Sequence, residues 1–335
     1  MNNRRRILCC AAASLLAGRR QVLAQTPSKV YHVGFFSLRA GPAAVDEAFV
    51  RGMRELGYVV GRNLFVEYRW ASNDMARLQP LADELVRLNV DVIVTAATPA
   101  VRAAMRATNT IPIVMAAVAD PVGSGLVASL RRPGGNVTGM TIQSTDLAQK
   151  RLQLIREIVP NATRIALLAL RVSDTERDTA RETGTPLLVA ETQAAAQQMG
   201  VGVDARSIGR ADELPDAFTQ YRQEQVRALI VQLSPLTYEL RTKIIELAAQ
   251  QRLPAMYEAR NFVDEGGLVS YGPDLEESYR RAAAYVDRIF RGAKPGELAI
   301  EQPGKYEMLI NMKAAKALGL TIPQSVLLRA NELIQ

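Results

Sequence analysis

Short apolar runs alternate with amphipathic stretches from residue 30 almost to the end of the chain, and the alternation breaks once and restarts. A run of four to eight apolar residues bounded by turn residues reads as a buried strand. A stretch with apolar residues three and four apart reads as a helix. On this basis strands are expected at 30–38, 63–70, 91–95, 111–115 and 137–140, with helices at 43–56 and 75–88. Gly57 suits the end of the first helix, and Pro99 suits the first turn of a third. Asp120-Pro121 reads as the start of another helix, fading before Arg132-Pro133-Gly134-Gly135. The pattern resumes with a helix at 147–159. Strands at 164–170, 201–205, 228–232, 255–257 and 268–271 then alternate with helices at 187–199, 211–223 and 238–251. A long helix at 275–291, a strand at 305–310 and a helix at 311–318 complete the chain. Such alternation builds a mainly parallel sheet covered by helices on both faces. The expected fold class is therefore α/β, with two doubly wound lobes joined near 140–145 and again near 272.

The N-terminus is a different material. Arg4, Arg5 and Arg6 precede an apolar stretch at 7–18, and Val22-Leu23-Ala24 offers small residues for cleavage. This is the layout of an export signal over residues 1–24, with an apolar part too short to span a bilayer. Arg4-Arg5 before Ile7-Leu8 resembles a twin-arginine signal loosely, so the general secretory and twin-arginine routes both stay open. The segment carries five of the 41 basic residues and none of the 34 acidic ones, leaving a net charge of +2 for the remainder. No basic stripe with interleaved aromatics remains, so no nucleic-acid partner is expected.

The remaining composition removes most catalytic chemistries. Both cysteines, Cys9 and Cys10, lie in the signal, and His32 is the only histidine. Thiolate metal sites, redox pairs, Ser-His-Asp triads and His-based zinc sites are excluded. His32 falls within a strand pattern and reads as structural. No metal and no cofactor are expected, and no enzyme activity.

Several strings match a known family in order. They are Ile111-Pro-Ile-Val, Asp120-Pro-Val-Gly-Ser-Gly-Leu-Val, Arg132-Pro-Gly-Gly-Asn-Val-Thr-Gly139, Gly266-Gly-Leu-Val-Ser-Tyr-Gly272, Gly292-Ala-Lys-Pro295 and Ala317-Leu-Gly-Leu-Thr-Ile-Pro323. Together they resemble the substrate-binding proteins of ABC transporters related to tryptophan/tyrosine-type importers. The resemblance implies the type I periplasmic-binding fold, two lobes closing on a ligand, with three segments crossing between them. Lobe I would comprise 29–141 plus 273–293, and lobe II 142–272 plus 294–335. It also implies a periplasmic, monomeric protein that hands an amino acid, a related zwitterion or an aromatic acid to a membrane permease. A sensory protein reporting to a receptor is the alternative. The sequence departs from its relatives at Leu170-Arg171-Val172-Ser173, where an Asn-Pro turn is usual.

In open α/β sheets, ligands sit beyond the carboxyl ends of the strands. Those positions give Ser37 and Leu38, Ala97 and Thr98, and Asp120 in the first lobe. In the second they give Arg171, Gln232 and Leu233, and Tyr257, with Tyr271 at the crossover. Thr98 and Asp120 each precede a proline, so each is either an anion or ammonium contact at a helix start or a plain cap. Tyr257 and Tyr271 could offer an aromatic face and a hydroxyl, or simply pack at the rim. Arg171 is either an anion contact or a solvated loop residue. Trp70, near a strand end, reads as structural rather than ligand-stacking.

Overall fold

The computed structural model describes residues 29–171 and 185–335. The proposed signal at 1–24 and the Val172-Ser173 end of the divergent turn lie outside the described residues. Strand β1, Tyr31–Ser37, is buried from Val33 onward. A strand with no solvent-facing side must be covered on both faces and paired on both edges. It pairs in parallel with β2 (Leu64–Trp70) and β3 (Val92–Thr95). With β4 (Ile113–Val118) and β5 (Val137–Thr141) they form a five-stranded parallel sheet in the order β2-β1-β3-β4-β5. Helices α1 (Ala44–Glu55), α2 (Leu78–Arg87) and α3 (Thr98–Ala107) cover it. Helix α1 stops at Gly57, whose φ of 91° is easy only for glycine.

The second lobe repeats the plan. Strands β6 (Arg164–Leu170), β7 (Gly202–Ile208), β8 (Ala228–Val231), β9 (Ala255–Tyr257) and β10 (Val269–Pro273) run in the order β7-β6-β8-β9-β10. This is the first sheet's order again. Two strands from the tail, β11 (Tyr306–Asn311) and β12 (Glu332–Ile334), extend this sheet to seven, β11 pairing antiparallel with β10. Its helices are α4 (Ala148–Ile158), α5 (Thr185–Gln198), α6 (Leu214–Gln223), α7 (Pro235–Glu239), α8 (Arg241–Gln250) and α9 (Arg260–Asp264). Helix α10 (Leu275–Phe290) returns to pack on α1, β4 and β5, and α11 (Met312–Ala317) and α12 (Gln324–Leu327) close the chain.

Three segments cross between the lobes: after β5, after β10, and before β11. The last crossing comes later than the expected boundary at 293/294. Glu301 pairs with β5 through Thr141 N–H to Glu301 O and Glu301 N–H to Gly139 O, and Ile300 is buried in the first lobe's core. Residues 294–301 therefore run along the first lobe. Two further expectations fail. No helix follows Asp120-Pro121; the chain makes successive turns there, with Gly125 at φ 70°. The single helix expected at 238–251 begins earlier and breaks at Leu240, leaving α7 and α8.

A buried cluster runs continuously from one lobe to the other. Met140, Ile142, Leu275 and Tyr279 join it from the first lobe and crossings, and Leu170, Leu236 and Tyr238 from the second. Among the described residues no helix is long and apolar enough to cross a membrane.

Candidate functional site

In a sheet of order 2-1-3-4-5, the loops after strands 1 and 3 leave in opposite directions and open a crevice between them. The first sheet has this switch point between β1 and β3, the second between β6 and β8. The two crevices face each other and enclose a cavity of about 110 Å³. Ser37 ends β1, and Ala96, Ala97 and Thr98 follow β3; Leu170 ends β6, and Gln232, Leu233 and Ser234 follow β8.

Part of the first-lobe wall is made of small residues. Ala96, Ala97, Ala117 and Ala119 present little more than main chain. Ala97 caps α3 with φ 64° and ψ 141°, a strained setting of the kind that concentrates at ligand sites. It turns the first turn of α3, at Thr98 and Pro99, onto the cavity. The N–H groups of a helix's first turn have no partners within the helix, and the helix dipole favours an anion there.

The opposite wall is more varied. Gln232 is buried, and its Oε1 accepts the Leu170 N–H at 2.9 Å and faces the Thr185 hydroxyl at 3.3 Å. The side chain thus fixes two neighbouring wall segments. Ser234 caps α7, its Oγ accepting the Thr237 N–H at 3.1 Å. Pro235 and Tyr238 of the same short helix reach the cavity. Tyr279 from α10 closes one side; burial, more than the opposing Arg39 charge, pushes its phenol up to about 12. It stays protonated at any physiological pH.

Arg39 is the charged residue on the lining. Its guanidinium donates to Asp46 Oδ1 at 2.5 Å and to Gly41 O at 3.1 Å, and stacks 5.1 Å from the Trp70 ring centre. Arg39 carries no local signal beyond its place two residues past a strand end. Trp70 does not line the cavity and also stacks on Tyr68 at 5.5 Å.

The lobes touch beside the cavity. Glu239, the last residue of α7, accepts the Ala40 N–H and the Asn73 side-chain amide, both on the first lobe.

Of the residues expected at the site, Ser37, Ala97, Thr98, Gln232 and Leu233 line the cavity. The other five do not. Leu38 is buried in the first lobe's core and borders a separate outer crevice. Arg171 faces that same crevice, paired with Glu213. Asp120 folds back on its own turn, Oδ1 accepting the N–H groups of Val122 and Gly123 at 3.1 and 2.8 Å. Tyr257 is 1% exposed and stacked 4.6 Å from Phe262, deep in the second lobe. Tyr271 lies beside Tyr306 on the tail side of the sheet, 6.1 Å between ring centres. Tyr257 turns into the core against Phe262 of α9, and Tyr271 stands on β10, away from the switch point.

Two lobes of one strand order, three crossings and a cavity at facing switch points define a type I periplasmic-binding protein, a fold whose members hold small molecules between lobes. Residues 40–334 match the model of a family described as ABC transporter substrate binding protein. The chain belongs to that family, whose members are substrate-binding proteins and not enzymes. It is similar to the tyrosine-binding protein of Clostridioides difficile, 27% identical over 295 residues, covering 87% of this chain and 82% of that protein. It is also similar to the crystal structure of an ABC domain in complex with L-Trp from Streptococcus pneumonia (26% identity, TM-score 0.79, 91% of this chain and 100% of that chain). A conserved domain protein from Vibrio cholerae has the same fold (29% identity, TM-score 0.81, 91% of this chain and 100% of that chain).

Proposed function

We propose that this protein is exported, captures an amino acid or a related aromatic acid in the cavity between its lobes, and delivers it to an ABC permease. The observation that carries this reading is the placement of the cavity. It is shared between two lobes, so a solute touching both walls would bind the closed form more tightly than the open one. A ligand shifts such an equilibrium only by that difference in affinity. The L-Trp and tyrosine named for the relatives support an aromatic amino acid as cargo. Its carboxylate would meet the first turn of α3 at Thr98, with the Ser37 side chain beside it. Its apolar body would lie against Val45, Ile142, Leu275 and the Tyr279 ring, which also line the cavity. Closure would present both lobe tips to the permease.

Thermal-shift titration with L-tryptophan and L-tyrosine tests the cargo. A bound ligand at about 100 times its Kd adds about 2.7 kcal/mol to stability and raises Tm. Ala119→Phe should fill the first-lobe wall and abolish that shift while leaving the Tm of the free protein within a few degrees. If neither amino acid moves the wild-type Tm, the cargo class is wrong.

Glu239 would act as a catch on the closed form. Glu239→Ala removes both cross-lobe bonds without touching the cavity lining. Net hydrogen bonds to a charged group contribute about 1.5–3 kcal/mol each in good geometry, and partly exposed ones less. Calorimetric titration with L-tryptophan should therefore show affinity weakened roughly tenfold. An unchanged Kd would leave Glu239 no part in closure.

A further inference from the structure

Behind the cavity wall lies a buried polar cluster that the proposed binding step does not use. Arg151 on α4 and Glu258, just past β9, pair at 2.8 Å, and each side chain is 1% exposed. The Arg151 Nε donates to Tyr271 O at 2.9 Å, and its Nη1 donates to Ser144 O at 3.0 Å. Glu258 Oε2 accepts the Ser144 hydroxyl at 2.6 Å and the Leu233 N–H at 3.1 Å. All the partners lie on the second lobe, but they stand at the places where it meets the crossings and the cavity. Ser144 lies in the first crossing segment, Tyr271 in the strand that leads into the second, and Leu233 in the cavity wall.

A buried ion pair is weak support for stability compared with apolar residues of the same volume. What this pair supplies is connection. Rotating one lobe against the other changes the main-chain angles of the crossing segments, since hinges are the few residues that absorb such changes. Ser144 is in that zone, and its hydroxyl shares Glu258 Oε2 with the Leu233 N–H. A change at the crossing therefore reaches the wall through one oxygen atom.

We propose that Arg151, Glu258 and Ser144 form a hinge clasp that sets how far the lobes stand apart before any cargo arrives, and that holds the Leu233 wall in register with that setting. These are positioning residues; none lines the cavity. The inference rests on the reading of the protein as a closing clamp, but its readouts need no cargo. A failure of L-tryptophan and L-tyrosine to bind would leave the test intact.

The test compares wild type, Ser144→Ala and Ser144→Thr as full chains without ligand. Ser144→Ala deletes the shared hydroxyl and leaves the ion pair, the Ser144 carbonyl contact and the Tyr271 contact in place. Small-angle scattering should give a shifted pair-distance distribution for Ser144→Ala. Amide exchange in segment 232–235 should quicken roughly tenfold, because the lost hydroxyl bonds both Glu258 Oε2 at 2.6 Å and Arg151 Nη1 at 3.2 Å and so loosens the carboxylate that holds the Leu233 N–H. Tm should fall by no more than about 5 °C, the scale of one lost buried hydroxyl in a chain this size. Ser144→Thr, which keeps a hydroxyl, should restore both readouts. Scattering and exchange in Ser144→Ala that superpose on wild type would overturn the clasp. So would a uniform rise in exchange across the second lobe, which marks plain destabilisation.

Discussion

Replacing Glu258 with alanine should lower the free energy of unfolding by about 3–5 kcal/mol, the usual cost of leaving one charge of a buried pair without its partner. The Arg151 guanidinium is 1% exposed, and its Nη2 has no partner among the described residues. Burial draws its pKa down, and the Glu258 charge is the main force opposing that. The Leu233 N–H and the Ser144 hydroxyl would lose their acceptor as well. Charge and backbone contributions separate in the double variant Arg151→Met/Glu258→Leu, which removes both charges at similar volume. Urea denaturation should find it recovering part of the single-variant loss, with the remainder belonging to the orphaned main-chain groups. A Glu258→Ala loss below about 1 kcal/mol would mean that the guanidinium finds solvent after all.

Gly272→Ala should be comparably damaging. A methyl carbon built on Gly272 would sit 1.8 Å from the Glu258 carbonyl oxygen. That oxygen is main chain and cannot swing aside as the tip of a side chain can. Neither can Gly272 retreat, because β10 is paired with β9 on one edge and β11 on the other. Overpacking of this kind costs about 1–3 kcal/mol, and more where backbone meets backbone. A loss of at least about 3 kcal/mol is expected by the same denaturation assay. Gly304→Ala is the control, since a methyl there meets nothing within 4 Å. It should change stability by less than about 0.5 kcal/mol. Equal effects at the two positions would refute the steric argument.

Elements are legible in the sequence where an apolar run is sharply bounded or an apolar stripe is long. The run of β6, buried on both faces, and the amphipathic stripe of α10 are legible to within a residue, the first from its length and the second from its helical period. Half of the residues expected from the rule that loops after strands bind ligands line the cavity. The other half do not, because that rule needs the order of strands in space. Nothing local says that Tyr257 turns into the core or that β10 lies to one side of the crevice. Asp120-Pro121 failed for a local reason: glycines at 123 and 125 favour turns over a helix. The Arg151–Glu258 pair did leave a trace. Ala148, Arg151, Leu152, Ile155 and Ile158 share one buried face of α4, so a charge stands on an otherwise apolar stripe. A residue so placed must find a partner inside, although its spacing cannot say which.

The four alanines on the first-lobe wall set a limit on how this protein can diversify. A side chain already reduced to one methyl group can be enlarged but scarcely trimmed, so mutation at these four positions only narrows the chamber. A descendant accepting bulkier cargo must gain its room from the larger lining residues, Leu170, Leu233 and Tyr238 on the second lobe or Val45, Leu275 and Tyr279 on the first. The alanine strip would then act as a fixed gauge, and the larger side chains around it as the part that evolution can retool.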